Sequence, residues 1–188
     1  MNDVVELSTS LDTVRAMRRL EYLIPTLAIM SLLGACWIVS KNKLFGNDEL
    51  TSYYLLSDNS FNHMLNAFHD KINIAPPLYF ILGWGWANAF GSTPLSLRLF
   101  SSVGIAIAIL VAWITLRRGF GFRSATIGTL AVFCTSSLIG QQNAEARMYG
   151  MYLALSSLLI LQFQINNATK RTNNGLLVSN AGINAATR

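Results

Sequence analysis

The sequence predicts an all-α membrane protein with about four transmembrane helices. Hydrophobic residues make up 52% of the chain and charged residues only 12%, whereas soluble proteins carry roughly 25% charged residues. The mean hydropathy is +0.40, and the apolar residues are gathered into long runs without charge. A surface that contacts lipid explains these observations, because charged side chains are costly in hydrocarbon.

Four uncharged runs have about the length of a transmembrane helix, which takes roughly 17 to 25 apolar residues. They are residues 22–39, 99–116, 124–140 and 148–165. A fifth apolar run, residues 75–90, is short, opens with Pro76-Pro77 and contains two glycines. We therefore predict a membrane domain over residues 20–165.

Basic clusters predict the orientation of these helices. Such clusters precede the first run, separate the second from the third and follow the fourth: Arg15, Arg18 and Arg19; Arg117, Arg118 and Arg123; Lys170 and Arg171. With four spans, the positive-inside rule places all three clusters in the cytoplasm. Residues 75–90 are therefore expected to form an interfacial amphipathic helix within an outer loop, residues 40–97, rather than a fifth span.

The distribution of basic residues also bears on nucleic-acid binding and on the location of the protein. An excess of basic residues, 14 against 9 acidic ones, suggests nucleic-acid binding in a soluble protein, but here the basic residues flank apolar runs and act as topology signals. We expect an integral protein of the plasma (inner) membrane with a cytoplasmic N-terminal segment, residues 1–19. Residues 166–188 lack apolar periodicity and are predicted to form a disordered polar tail.

An acidic pair, Asp48-Glu49, directly follows the first predicted span. Neighbouring residues on a helix point about 100° apart, so the two carboxylates would serve separate roles. The alternative is that Asn47 or Asp48 caps a helix that begins at Glu49.

A second polar cluster, residues 141–149, lies between the third and fourth predicted spans. On a helix, Asn143 would share a face with Arg147, and Glu145 with Tyr149. The alternative is a polar turn with an arginine that reaches into the interface.

The loop histidines carry little metal-binding signal. His63 and His69 are six residues apart, which matches no compact metal motif, and solvated side chains are the simpler interpretation. A divalent cation held jointly with Asp48 or Glu49 stays open, and the cofactor is otherwise unknown. Cys36 and Cys134 lie inside apolar runs and are expected to be small buried hydrophobes.

Four features occur in a recognisable order. These are the acidic pair after the first span and then residues 75–80 (APPLYF), 94–99 (PLSLRL) and 143–149 (NAEARMY). Over residues 20–163 the chain resembles the N-terminal part of the large GT-C type membrane glycosyltransferases. This group contains the protein O-mannosyltransferases, the aminoarabinose transferases and many bacterial family 39 enzymes.

The resemblance implies transfer of a sugar from a polyprenyl-phosphate carrier to an acceptor at the outer face of the membrane. Asp48 would be the general base and Glu49 would position acceptor or metal. Arg147, Arg98 and Glu145 would bind the substrate or the carrier phosphate, with carboxylate and cation placed apart. Tyr79, Trp84 and Trp86 would hold the prenyl chain or anchor the protein in the interface. The implied partners are the bilayer and the lipid-linked sugar, with no nucleic acid.

Two departures leave an alternative open. Many family members have a histidine where this chain has Ala75, and such enzymes continue for several hundred residues. A truncated remnant or a non-catalytic membrane subunit is therefore the alternative to an active transferase. A small transporter fits less well, because the predicted spans contain no ionisable side chains of Asp, Glu, Lys, Arg or His.

Overall fold

The computed structural model describes the backbone of residues 2–70 and 76–186 and the side chains of residues 21–68, 70 and 76–170. Over these residues every regular element is a helix, as the composition predicts. The helices are α1 (Asn2–Asn42), α2 (Asn47–Leu56), α3 (Phe61–His69), α4 (Pro77–Phe90), α5 (Pro94–Phe120), α6 (Phe122–Thr135), α7 (Ser137–Asn143) and α8 (Tyr149–Ala186).

Within the described part of the chain, two helices are long and apolar enough to cross a membrane, judged by length and composition. They are Glu21–Asn42, which belongs to α1, and Pro94–Phe120, which is α5. The pair α6 and α7 makes a third if its 65° bend is counted within one span. These helices contain the first three predicted spans. The fourth, residues 148–165, lies in α8 except for its first residue. Gln162 and Gln164 interrupt its apolar sequence, and the span stays a prediction.

The bend between α6 and α7 lies at Ser136. This residue has an extended backbone (φ −74°, ψ 112°), and its hydroxyl accepts a hydrogen bond from the Ile139 N–H at 3.4 Å. The side chain therefore caps α7 and replaces a backbone acceptor that a continuous helix would supply. The run predicted as one span, residues 124–140, consequently forms two helices.

Helices α1 and α5 run antiparallel, with a polar contact at each end. At one end Arg117 pairs with Glu21 (Nη2 to Oε2, 2.6 Å). At the other, Arg98 donates to the Lys43 carbonyl oxygen at 2.9 Å. A helical rise of about 1.5 Å per residue separates the two ends by roughly 30 Å, about the thickness of the hydrocarbon core. Exposed apolar side chains such as Leu27 and Ile38 lie between them.

The contact between α5 and α8 depends on two glycines. A Cβ atom on Gly104 would lie 2.4 Å from the carbonyl carbon of Gly150, and one on Gly150 would lie 2.0 Å from the carbonyl oxygen of Ser101. The two backbones therefore approach more closely than any side chain permits. Small residues serve membrane helices in this way, because close backbone contact increases van der Waals attraction.

The predicted outer loop folds into α2, α3 and α4. The run expected to be an amphipathic interfacial helix is α4, but it is apolar on both sides. Tyr79 and Phe80 are buried, whereas Leu78 and Leu82 are exposed. An interfacial position for α4 stays a prediction, and Ala75 lies outside the described residues.

The chain ends and the cysteines also differ from the expected pattern. Helix α1 runs without a break from the predicted N-terminal segment into the first span. Helix α8 continues to Ala186, through the segment predicted to be a disordered tail. Both cysteines are free; Cys36 is buried as expected, but Cys134 is exposed on α6.

Candidate functional site

Three chain segments meet at the end of the bundle where α2 begins. They are the connection from α1 into α2, the first turns of α5, and the connection between α7 and α8. Every acidic or basic residue that the sequence predicts for the site lies in one of these three segments. The structure therefore brings both polar clusters of the sequence together.

A buried ion pair forms the centre of this region. Arg98 donates from Nε to Glu49 Oε1 at 2.9 Å and from Nη2 to Glu49 Oε2 at 3.0 Å. The relative exposure is 0% for Arg98 and 2% for Glu49. Paired parallel hydrogen bonds of this kind are the strongest arrangement that an arginine and a carboxylate form.

Backbone groups complete the hydrogen bonding of this pair. Glu49 also accepts from the N–H groups of Gly46 at 3.0 Å and Ala146 at 2.8 Å. Arg98 also donates to the carbonyl oxygens of Lys43 at 2.9 Å and Leu44 at 3.1 Å. A buried ion pair contributes to stability only when its remaining donors and acceptors are satisfied, and here the pair links all three segments.

These bonds keep Glu49 ionised. Burial acts most strongly on the Glu49 pKa and raises it, but hydrogen bonds from Arg98, Ala146 and Gly46 together outweigh burial, so the pKa is lowered below 4.5. Since Arg98 has no exposed surface, it fits the role of a positioning residue for α2 better than the predicted contact with phosphate. The same argument applies to Glu49 and the predicted contact with acceptor or metal.

Asp48 points away from Glu49 and is exposed, as the 100° spacing on a helix requires. Its Oδ2 lies 3.1 Å from Arg147 Nη1, with 73% of the Asp48 side chain and 27% of the Arg147 side chain exposed. The Arg147 guanidinium also lies 4.9 Å from the ring centroid of Tyr149. The carboxylate and the cation that were expected apart are therefore in direct contact.

A third ion pair lies beside the first two. Lys43 Nζ contacts Glu145 Oε1 at 3.1 Å, with both side chains partly exposed. Glu145 was predicted to bind substrate, whereas Lys43 was not selected as a site residue. The pair joins the end of α1 to the α7–α8 connection.

Local structure corrects two expectations about the polar clusters. Helix α2 begins at Asn47 with Gly46 as its N-cap residue, so neither Asn47 nor Asp48 is the cap. Residues 144–148 form turns and bends between α7 and α8. The shared helix faces proposed for residues 143 to 149 therefore do not exist, and the segment is a turn, as the alternative has it. A position of Arg147 in the membrane interface stays a prediction.

The polar atoms of the predicted aromatic residues form hydrogen bonds within the protein. The Tyr79 hydroxyl lies 3.1 Å from the Ser101 hydroxyl, Trp84 donates to the Asp58 carbonyl oxygen at 2.8 Å, and Trp86 donates to the Ser96 carbonyl oxygen at 3.1 Å. Burial raises the pKa of Tyr79 to about 12, so its phenol stays neutral. These contacts hold α4 against α5 and the α2–α3 connection.

Asn143 and Ser102 form hydrogen bonds that link the end of α7 to α1 and α5. Asn143 is 1% exposed, and its Nδ2 donates to the Leu32 carbonyl oxygen at 2.7 Å. The Ser102 hydroxyl donates to the Asn143 carbonyl oxygen at 2.7 Å. The sequence shows Ser102 only as a small polar residue within an apolar run, and its role was missed.

The described residues offer little to a metal ion. They contain no group of three or more His, Cys, Asp or Glu side chains placed to hold one. The His63 side chain is exposed and contacts the Asp58 carboxylate. Both Glu49 oxygens already accept hydrogen bonds, and the His69 side chain lies outside the described residues. A metal site at Asp48 therefore gains no support from this geometry.

Comparisons with known proteins give no assignment: no family model matches the chain, and neither a curated protein nor a solved structure matches it.

Proposed function

We propose that this chain is a GT-C type membrane glycosyltransferase, or the N-terminal part of one. It would transfer a sugar from a polyprenyl-phosphate carrier to an acceptor hydroxyl at the outer face of the plasma (inner) membrane, with its N-terminus in the cytoplasm. The observation that supports the proposal is Asp48, an exposed carboxylate in contact with Arg147 at one end of an apolar helical bundle.

The surroundings of Asp48 suit a catalytic carboxylate. Its position is set by the adjacent Glu49, which is buried and held by four hydrogen bonds. Catalytic side chains work best when such neighbouring contacts fix their geometry. Asp48 itself stays open to solvent and therefore to an acceptor.

The reaction needs a base for the acceptor and a cation for the leaving group. In the proposed step the carrier phosphate replaces Asp48 as the partner of Arg147. The Asp48 carboxylate is then free to act as a base. Asp48 then accepts the proton of the acceptor hydroxyl while that oxygen bonds to the anomeric carbon of the sugar. The bond from this carbon to the phosphate oxygen breaks, its electron pair stays on the phosphate, and Arg147 stabilises the developing charge.

The proposal modifies the roles expected of the other predicted residues. Arg98 and Glu49 position α2, and Glu145 with Lys43 holds the α7–α8 connection near it. Tyr79, Trp84 and Trp86 hold α4 in place. The side chains of Leu78 and Leu82 on the same helix are exposed and would contact the prenyl chain.

A non-catalytic membrane subunit is the second candidate. The observation that favours it is the pairing of charges at this end of the bundle. Lys43, Arg98 and Arg147, the cations that contact the described site, each bind a carboxylate of the protein. A set of paired charges is also what a purely structural connection between helices requires.

Sugar transfer by membranes that contain the chain distinguishes the two candidates. We would supply a panel of radiolabelled polyprenyl-phosphate sugars and compare wild type with Asp48→Asn. Asp70→Asn is the matched control, because Asp70 is an exposed carboxylate at the end of α3. Transfer that is lost only in Asp48→Asn supports the transferase. No transfer from any donor by correctly inserted wild type favours the non-catalytic subunit.

A further inference from the structure

A second surface of interest lies at the opposite end of the bundle, between the last turns of α5 and the middle of α8. A cleft of about 620 Å³ opens there. A neighbouring cleft of about 500 Å³ shares Gln164 and Ala168 with it and is lined by Arg118. The two clefts adjoin at these shared residues, one mainly apolar and the other next to a basic side chain. The first cleft is lined by Thr115, Phe120, Ile160, Phe163, Gln164, Asn167 and Ala168.

The charge at this end is unevenly distributed. Arg117 is neutralised by Glu21, to which it donates from both Nε and Nη2. Arg118 is exposed, and no described carboxylate pairs with it. The cleft therefore combines an apolar channel with a cation that is available to an anion.

We propose that this cleft binds an anionic glycerophospholipid of the surrounding bilayer, with the lipid phosphate on Arg118 and one acyl chain along Phe120, Ile160 and Phe163. The proposal does not depend on the transferase activity, because the cleft and the Asp48 region lie at opposite ends of α5.

Charge and depth together favour this occupant. Basic pockets between membrane helices bind anionic headgroups, since a phosphate gains charge-assisted hydrogen bonds while its acyl chains remain in hydrocarbon. Ile160 and Phe163 are 59% and 69% exposed, so a chain in the cleft would cover apolar surface next to the cation. The headgroup of a zwitterionic lipid also carries a positive charge, which Arg118 repels. Such a lipid would therefore bind the cleft more weakly.

The test measures lipid retention by the full chain. The protein is purified in detergent, mixed with phosphatidylglycerol or phosphatidylcholine, and bound lipid is counted by native mass spectrometry. Wild type should retain phosphatidylglycerol in preference. Arg118→Gln should weaken phosphatidylglycerol retention by about fivefold, the factor that corresponds to about 1 kcal/mol per basic residue. Arg123→Gln is the matched control, because Arg123 belongs to the same basic cluster but does not line the cleft.

A second pair of variants tests the apolar part of the cleft. Ile160→Trp should fill the cleft and reduce retention of phosphatidylglycerol, whereas Leu159→Trp, at an exposed position outside it, should not. Equal losses in Arg118→Gln and Arg123→Gln would show that only the overall charge matters and would overturn the proposal. So would equal retention of both lipids by wild type, or an unchanged value in Ile160→Trp.

Discussion

Arg98 and Glu49 are 49 positions apart in sequence, yet their side chains form two parallel hydrogen bonds of 2.9 and 3.0 Å in a buried environment. The pair connects α5 to α2, and a third bond from the Ala146 N–H adds the α7–α8 connection. The position of Asp48 follows from this contact, because Asp48 directly precedes Glu49 in α2.

Arg98→Met should destabilise the protein strongly. It leaves the Glu49 carboxylate buried without its main partner, and breaking a buried pair in this way costs ~3–5 kcal/mol. The measurement is unfolding of the purified protein in mixed micelles. Lys43→Met, which breaks the more exposed pair with Glu145, should cost about 0–1 kcal/mol. Similar losses in both variants would contradict a special role for the buried pair.

Acid should remove the contribution of Glu49 to stability. The Glu49 pKa is lowered in the folded protein, so the folded state favours the carboxylate more than the unfolded state does. The contribution is therefore present above the ordinary pKa of 4.5 and is lost as pH falls through the lower folded value. Thermal unfolding between about pH 3 and pH 7 measures it. Glu49→Gln should be less stable at neutral pH and should lack this part of the pH dependence; an identical pH profile would contradict the argument.

Gly104→Ala and Gly150→Ala should each separate α5 from α8. The added methyl group would meet backbone atoms at 2.4 Å and 2.0 Å, and a backbone cannot move aside as a flexible side chain can. We expect a loss of about 1–3 kcal/mol, the usual cost of overpacking, in the same micellar assay. Gly140→Ala is the matched control, since its Cβ would have no atom within 4 Å. Alanine is favoured over glycine within a helix, so the control should lose no stability, and a comparable loss in it would contradict the role of the close contact.

Labelling of single cysteines tests on which side of the membrane each polar end of the bundle lies. In a chain with Cys36 and Cys134 replaced by alanine, Leu44→Cys and Arg118→Cys place thiols at opposite ends of α1 and α5, both at exposed positions. An impermeant maleimide added outside spheroplasts should label residue 44 only, and residue 118 only after lysis. Labelling of both from outside would contradict a membrane between these ends, and the reverse pattern would invert the predicted orientation.

The sequence predicts the helical class and the different directions of the Asp48 and Glu49 side chains because these depend on local patterns. Long apolar runs specify helices that contact lipid, and adjacent helical positions necessarily face different surroundings. The bend at Ser136 was missed, because one serine hydroxyl that caps α7 leaves no trace in hydropathy.

The ion pairs depend on residues far apart in sequence, so no local pattern specifies them. Glu49 binds the Ala146 N–H across 97 positions, and Lys43 binds Glu145 across 102. One signal was nevertheless present. In the predicted topology, Lys43 and Arg98 fall on the side of the membrane where the positive-inside rule disfavours them, and both have carboxylate partners in the structure.

Arg147 provides the last test, which rests on the proposed transferase. If the carrier phosphate replaces Asp48 as the partner of Arg147, then Arg147→Gln should raise the KM for the lipid-linked sugar by about tenfold or more, the value of one charge-assisted hydrogen bond. The matched control is Lys43→Gln, which removes another cation from the same end of the bundle and breaks an ion pair of the same 3.1 Å length. Its KM should stay close to that of wild type. An equal rise in both variants would mean that the charges act only by holding the helices together, and that the carrier phosphate binds elsewhere.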